Sequence, residues 1–97
     1  MILEIAEIQI QPGQQSEFES AIAHAIKSVI SQAQGFMNAR VQHGLDSPER
    51  YILQIEWATL EDHTLHFRNG PLFPAWRAIV GPFFAQPPRV EHYHGVI

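Results

Sequence analysis

Histidines and aromatic rings are the residues of this sequence best suited to chemistry, with six histidines and ten aromatic side chains among 97 residues. His66 lies in a predicted helix, and its imidazole, with an ordinary pKa of about 6.5, can accept a proton at neutral pH. The sequence therefore predicts His66 as a general base. The alternative is that His66 only caps or packs within its helix.

Aromatic residues concentrate around the same helix and could form walls for a planar substrate. They are equally typical of a small core, so we expect Trp57 and Phe73 to pack in the core first and to line a pocket second. Arg68 could pair with an anionic substrate or, more commonly, with the neighbouring Glu61 or Asp62. The candidate substrate-binding residues are Trp57, Phe67, Arg68, Phe73, Trp76, Phe83 and His92.

Two pairs of histidines suggest metal binding as an alternative function. His63 and His66 share one predicted helix, and His92 and His94 share one face of a predicted strand. Either pair could present two imidazoles to one ion, but a tight site needs roughly three or four converging ligands. Neither pair matches a zinc motif such as His-Glu-x-x-His, so we assign no metal ligands.

Composition limits the classes of function. A chain of 97 residues predicts one domain over residues 1–97, and a net charge of −4 without basic clusters gives nucleic-acid binding little support. The absence of cysteine excludes disulfide scaffolds and thiolate chemistry. No signal peptide or membrane-spanning stretch is recognisable, so we expect a cytoplasmic protein without a membrane partner.

Hydrophobic spacing predicts the first half of the fold. Residues 2–11 alternate as a strand and end at Pro12-Gly13. Ser16 and Glu19 form a capping-box pattern that begins a long amphipathic helix, which Gly35 ends. Residues 36–44 form a second strand, with Phe36 on the face of Asn38 and opposite Ala39. The apolar helix positions are Phe18, Ile22, Ala25, Ile26, Val29, Ile30 and Ala33.

The second half of the sequence predicts a strand that pairs with the second one, a broken helix and a last strand. Residues 50–57 pair with the second strand, and Thr59 with Asp62 signals the start of a helix to about residue 68. Residues 69–71 interrupt this helix before 72–80 resume helical spacing, and 89–96 alternate as a strand. The order βαββαβ predicts an α+β, ferredoxin-like fold with a four-stranded antiparallel sheet.

Apolar residues on both faces of the sheet predict an oligomer. Two helices cover one face, yet Leu3, Ile5 and Ile52 point to the other. A partner sheet would cover these side chains, so we expect a homodimer.

Residues 57–73 resemble a segment of the antibiotic biosynthesis monooxygenase (ABM) domain family, whose members are dimeric α+β barrels. The shared features are Trp57 at a strand end, Thr59, a helical His66 and Phe73 after the helix break. The Pro-Gly turn, the long helix, the Gly-Phe start of strand two and a closing strand with Val-Glu-His-Tyr extend the resemblance over nearly the whole chain.

The resemblance implies a homodimer with a cavity between the sheet and the broken helix. It also implies oxidation of a small phenolic, quinol or polyketide-like aromatic compound by O₂ without flavin, metal or haem. Gly70 stands where the family often has Ser, and His66 and Trp76 replace the Trp and His of the haem-degrading branch, which disfavours haem cleavage. The alternatives are a non-catalytic small-molecule-binding or stress-response protein on the same barrel, and a histidine-based metal-binding protein.

Overall fold

The fold is a four-stranded antiparallel sheet with two helices packed on one face. The computed structural model describes residues 1–97. The strands lie in the order β2-β3-β1-β4, which confirms the ferredoxin-like α+β prediction and the β2–β3 hairpin. The elements are β1 (Ile2–Gln9), α1 (Gln15–Ser28), β2 (Phe36–His43), β3 (Arg50–Trp57), a π-helix (Asp62–Phe67), α2 (Leu72–Val80) and β4 (Arg89–Tyr93).

The core lies between the sheet and the helices. Antiparallel pairing places Ala6 opposite Leu53 and Glu4 opposite Ile55, so these side chains share the helix-covered face. Sixteen buried apolar residues form one cluster there. The opposite face, here called the open face, carries Leu3, Ile5 and Ile52 on the two central strands and Tyr93 on the edge strand β4, and Tyr93 is 48% exposed.

Helix α1 buries the face that its periodicity predicts, but its first and last residues differ from the predicted ones. Phe18, Ile22 and Ala25 are buried, whereas the helix ends at Ser28 and a short 3₁₀ turn follows. The predicted capping box is wrong, because the N-cap is Gln14 and no side chain bonds the helix start. Glu19 instead accepts a hydrogen bond of 2.6 Å from the Tyr51 hydroxyl.

A β-bulge corrects the predicted faces of β2. Phe36 pairs with Trp57, but the register shifts between Phe36 and Asn38. The inserted residue, Met37, is 55% exposed. Phe36 therefore joins Ala39 on the core face, where its ring meets the Trp57 ring edge-on at 6.3 Å.

The predicted break in the second helix is confirmed, and its first part has a geometry that the spacing did not indicate. Residues 62–67 form a π-helix, in which the Arg68 amide donates to the His63 carbonyl five residues earlier. Thr59 and Asp62 cap its start reciprocally, at 3.1 and 3.2 Å. Gly35, at φ +80°, passes so close to Asp62 that a Cβ would overlap its carboxylate. None of the helices combines the length and apolar character needed to cross a membrane.

Candidate functional site

A cavity of about 430 Å³ opens between the helix-covered face of the sheet and the segment from the π-helix to β4. Most of its lining is apolar, while Glu4, His63, Arg68 and Arg77 supply the charged and titratable groups. Such a pocket suits a small planar ligand with few polar groups. The other lining residues are Ala6, Ile8, Ile30, Leu53, Ile55, Phe67, Phe73, Trp76, Gly81, Phe84, Gln86, Pro87, Pro88 and Val90.

The cavity contains four of the predicted site residues: Phe67, Arg68, Phe73 and Trp76. Trp57, Phe83 and His92 do not line it. Trp57 is completely buried, as its predicted core role requires, and Phe83 packs edge-on against Phe18 at 5.7 Å. The aromatic wall therefore comes from the π-helix and α2, not from the end of β3.

His66, the predicted general base, is exposed and lies outside the cavity lining. The physical reason is the π-helix, whose wider turn rotates each residue by less than an α-helix does. His63 and Phe67, four positions apart, consequently share the buried face, while His66 turns toward solvent. His63 is the histidine that the cavity contains.

Glu4 is the acidic group of the cavity. It lies on the core face of β1 and is only 5% exposed. Its Oε1 accepts a hydrogen bond of 2.9 Å from the Trp57 indole nitrogen. Burial raises the pKa of Glu4 to about 7, against the opposing effects of the Trp57 bond and the Arg68 charge. Glu4 is thus a carboxyl group that changes charge near neutral pH.

His63 joins Glu4 to His92. Its Nε2 lies 3.3 Å from Glu4 Oε1, and its Nδ1 lies 2.7 Å from His92 Nε2. The imidazole stacks on the Trp57 ring at 5.2 Å. Burial, with smaller effects of Arg68 and His92, lowers the pKa of His63 to about 3, and burial also lowers the pKa of His92. Both rings are therefore neutral at pH 7.

The charge of Arg68 acts on this group from the cavity wall. The guanidinium lowers the pKa of Glu4, His63 and His92. The more common pairing predicted from the sequence, with Glu61 or Asp62, does not form: Arg68 has no acidic partner within 4.0 Å. It lies instead over the Phe73 ring, 5.7 Å from its centroid.

The histidine pairs suggested for a metal are not brought together. β4 ends at Tyr93, earlier than predicted, so His94 lies beyond the strand and is exposed, whereas half-buried His92 bonds to His63. His63 and His66 point in different directions. No group of three or more His, Cys, Asp or Glu side chains has a geometry that could hold a metal ion.

Sequence reasoning missed Glu4 and His63 as members of the site. The signal for Glu4 was available, since it interrupts the core-facing series Ile2, Ala6 and Ile8 of an otherwise apolar strand face. A lone acid at such a position must find a partner or shift its pKa. His63 had no comparable signal, because α-helical spacing does not distinguish it from His66.

Comparisons with known proteins agree with this architecture. A family model described as antibiotic biosynthesis monooxygenase matches residues 1–80. The chain is similar to the uncharacterized protein YczJ of Bacillus subtilis, with 34% identity over 96 residues, which cover 99% of this chain and all of that one.

Solved structures also match over nearly the full length. One from Bordetella bronchiseptica, provisionally named an antibiotic biosynthesis monooxygenase, has a TM-score of 0.94 and 36% identity, covering 99% of this chain and 97% of that one. A protein from Nitrosomonas europaea with the same provisional name has a TM-score of 0.79 and 22% identity, with both chains fully covered. At that identity, the second likeness shows the fold alone.

Proposed function

Because this chain belongs to the antibiotic biosynthesis monooxygenase family, we propose that it oxidises a small phenolic or quinol-type aromatic compound with O₂. The observation that carries the proposal is a buried carboxyl group, Glu4, at the inner wall of a cavity whose lining is mostly apolar. An apolar cavity binds the ring, and the carboxyl removes a proton from its hydroxyl group.

Glu4 acts as the general base in this proposal. A base works best when its pKa lies near the operating pH, and burial brings the pKa of Glu4 to about 7. Its Oε1 is held by Trp57, while Oε2 makes no hydrogen bond within the protein. Glu4 lines the cavity, and no fully buried side-chain oxygen lacks a partner, so Oε2 keeps accessible surface through which a substrate hydroxyl can reach it.

His63 and His92 give the proton a route away from Glu4. A neutral imidazole carries one N–H, so His63 can receive a proton at Nε2 and release another from Nδ1 without remaining charged. The 3.3 Å and 2.7 Å separations place Glu4 Oε1, His63 and His92 in sequence. A half-turn of the protonated carboxyl exchanges Oε1 and Oε2 and so brings the acquired proton to His63 Nε2. His92 is the least buried of the three and passes the proton to solvent.

The oxidation balances without an external reductant. The deprotonated substrate transfers one electron to O₂, and the resulting radical pair forms a carbon–oxygen bond. Loss of water from that hydroperoxide leaves a ring carbonyl. For a hydroquinone, one quinol and one O₂ give one hydroxylated quinone and one water, with every electron supplied by the quinol. The protein has to hold the ring, accept the proton and exclude water.

The apolar walls of the cavity bind the substrate ring. Phe67, Phe73 and Trp76 contribute the rings, and Phe67 meets Phe73 edge-on at 5.6 Å. Such walls fix a planar substrate with little directional bonding. Specificity within the phenolic class then depends on the few polar groups of the cavity.

We propose the predicted homodimer as the functional assembly. The open face has Leu3, Ile5 and Ile52 at its centre and polar side chains around them, as an isologous contact between two copies requires.

The test is oxygen uptake with a panel of hydroquinones, naphthoquinols and anthrone-like ketones, measured against a blank without protein. We expect uptake above the blank for at least one compound, persistence after exhaustive chelation, and incorporation of one ¹⁸O atom from ¹⁸O₂ into the product. Binding of these compounds without any uptake would favour the non-catalytic small-molecule-binding alternative.

A further inference from the structure

Two arginines stand at the mouth of the cavity with no acidic partner. Arg68 and Arg77 are both exposed and both line the cavity, so they lie where it meets solvent. Their guanidinium carbons are 5.7 and 5.8 Å from the centroid of the Phe73 ring. One aromatic side chain therefore positions both cations at the same entrance.

The charge at this entrance is uncompensated. Neither Arg68 nor Arg77 has a carboxylate within 4.0 Å, whereas Arg50 pairs with Glu7 at 3.9 Å and Arg89 with Glu91 at 3.7 Å. Glu4, at the inner wall, is the single acidic residue of the cavity lining, and burial favours its neutral form. In a chain of net charge −4, this local excess of positive charge attracts an anion to the mouth.

We propose that Arg68 and Arg77 bind a carboxylate substituent of the aromatic substrate. Guanidinium groups match the planar geometry of a carboxylate and bind it through charge-assisted hydrogen bonds. The substrate class is then an aromatic carboxylic acid bearing a phenolic hydroxyl, with its ring against Phe67, Phe73 and Trp76. The inference deepens the proposed function and rests on it for the identity of the site.

Recognition at two ends would orient the substrate. The carboxylate stays at the hydrated mouth, where its desolvation cost is small, and the ring enters the apolar interior with its hydroxyl toward Glu4. A second carboxylate deeper in the cavity would meet Glu4 and be repelled once Glu4 ionises. The arrangement therefore selects a ring with one anionic end.

The experiment compares two probes that cannot be oxidised by this route, 2-naphthoate and its neutral counterpart 2-naphthamide, by titration calorimetry on the full chain. We expect 2-naphthoate to bind about ten-fold more tightly at low salt, a preference that shrinks as ionic strength rises. Arg77→Gln and Arg68→Gln should each reduce the preference. Lys27→Gln, which removes one positive charge from an exposed position of α1, is the matched control and should keep it.

Equal affinity for the two probes overturns the anion site, as does an unchanged preference in both arginine variants or failure of both probes to bind. The binding result tests the anion site independently of the proposed oxidation. Preferential binding of 2-naphthoate supports the anion site even if no compound consumes oxygen. Turnover of neutral quinols without a naphthoate preference keeps the oxidation and overturns the anion site.

Discussion

Glu4 Oε1 and His63 Nε2 lie 3.3 Å apart at the inner wall of the cavity, although the two residues belong to the first strand and to the π-helix. Both are almost fully buried, at 5% and 2% exposure. A carboxyl whose pKa is raised to about 7 next to an imidazole whose pKa is lowered to about 3 can exist without net charge at neutral pH.

Glu4→Gln should lower turnover by roughly 10²- to 10⁴-fold, the range for loss of a general base. Glutamine keeps an oxygen to accept the Trp57 hydrogen bond, so the fold should survive. Glu17→Gln, an exposed position of α1, is the matched control for the change of charge. Steady-state oxygen uptake measures the effect. Loss of turnover in His66→Ala together with full activity of Glu4→Gln would reverse the assignment of the base.

The wild-type rate should increase with pH through about 7, because only the ionised Glu4 can accept the substrate proton. Arg68→Gln should move this inflection upward, since Arg68 lowers the pKa of Glu4. The measurement is kcat/KM from pH 5 to 9. A profile that falls with increasing pH would exclude Glu4 as the base.

Stability should change with pH in opposite directions for Glu4 and His63. Between pH 4.5 and 7 the folded chain binds more protons at Glu4 than the unfolded chain, so Glu4 makes stability fall as pH rises. Between pH 3 and 6.5 the unfolded chain binds more protons at His63, so His63 makes stability rise with pH.

The free energy of unfolding of Glu4→Gln, relative to that of wild type, should therefore increase as the pH is raised from 5 to 8. Urea unfolding at fixed protein concentration measures this difference. Glu17→Gln provides the control, and its difference from wild type should be nearly constant. An unchanged difference for Glu4→Gln would mean that the carboxyl titrates normally in the folded chain.

Ile22→Ala should destabilise the protein by about 2 to 5 kcal/mol, because it opens a cavity at a buried position of α1. Ser16→Ala should cost less than about 0.5 kcal/mol, since Ser16 is exposed and does not cap the helix. Urea unfolding of both variants measures this order. A larger effect at Ser16 would restore the capping box that the sequence suggested.

Light scattering should give about twice the chain mass of 11.0 kDa, with an interface above roughly 1,200 Å². Ile52→Glu places a charge at the centre of the open face and should shift the mass toward that of one chain. Glu17→Gln again serves as a control. A wild-type monomer at micromolar concentration would contradict the proposed assembly.

The sequence by itself determined the order of the strands and helices. Alternation of period two in β1 and β3 and the helical spacing of Phe18, Ile22 and Ala25 are local patterns, and each reports which side of an element is apolar. The Thr59–Asp62 cap and the break before α2 depend on neighbouring residues alone. For these reasons the ferredoxin-like order could be predicted. Four of the candidate binding residues lie at the cavity: Phe67, Arg68, Phe73 and Trp76.

Only the tertiary structure decided which polar groups meet. The π-helix turns His63 inward and His66 outward, and the bulge at Met37 moves Phe36 to the core face, although neither irregularity changes the apolar pattern of its segment. Glu4 becomes a candidate base only because Trp57, His63 and the apolar wall enclose it. The reason is physical: the pKa of a side chain depends on burial and on partners from distant parts of the chain, which residue spacing along one element does not encode.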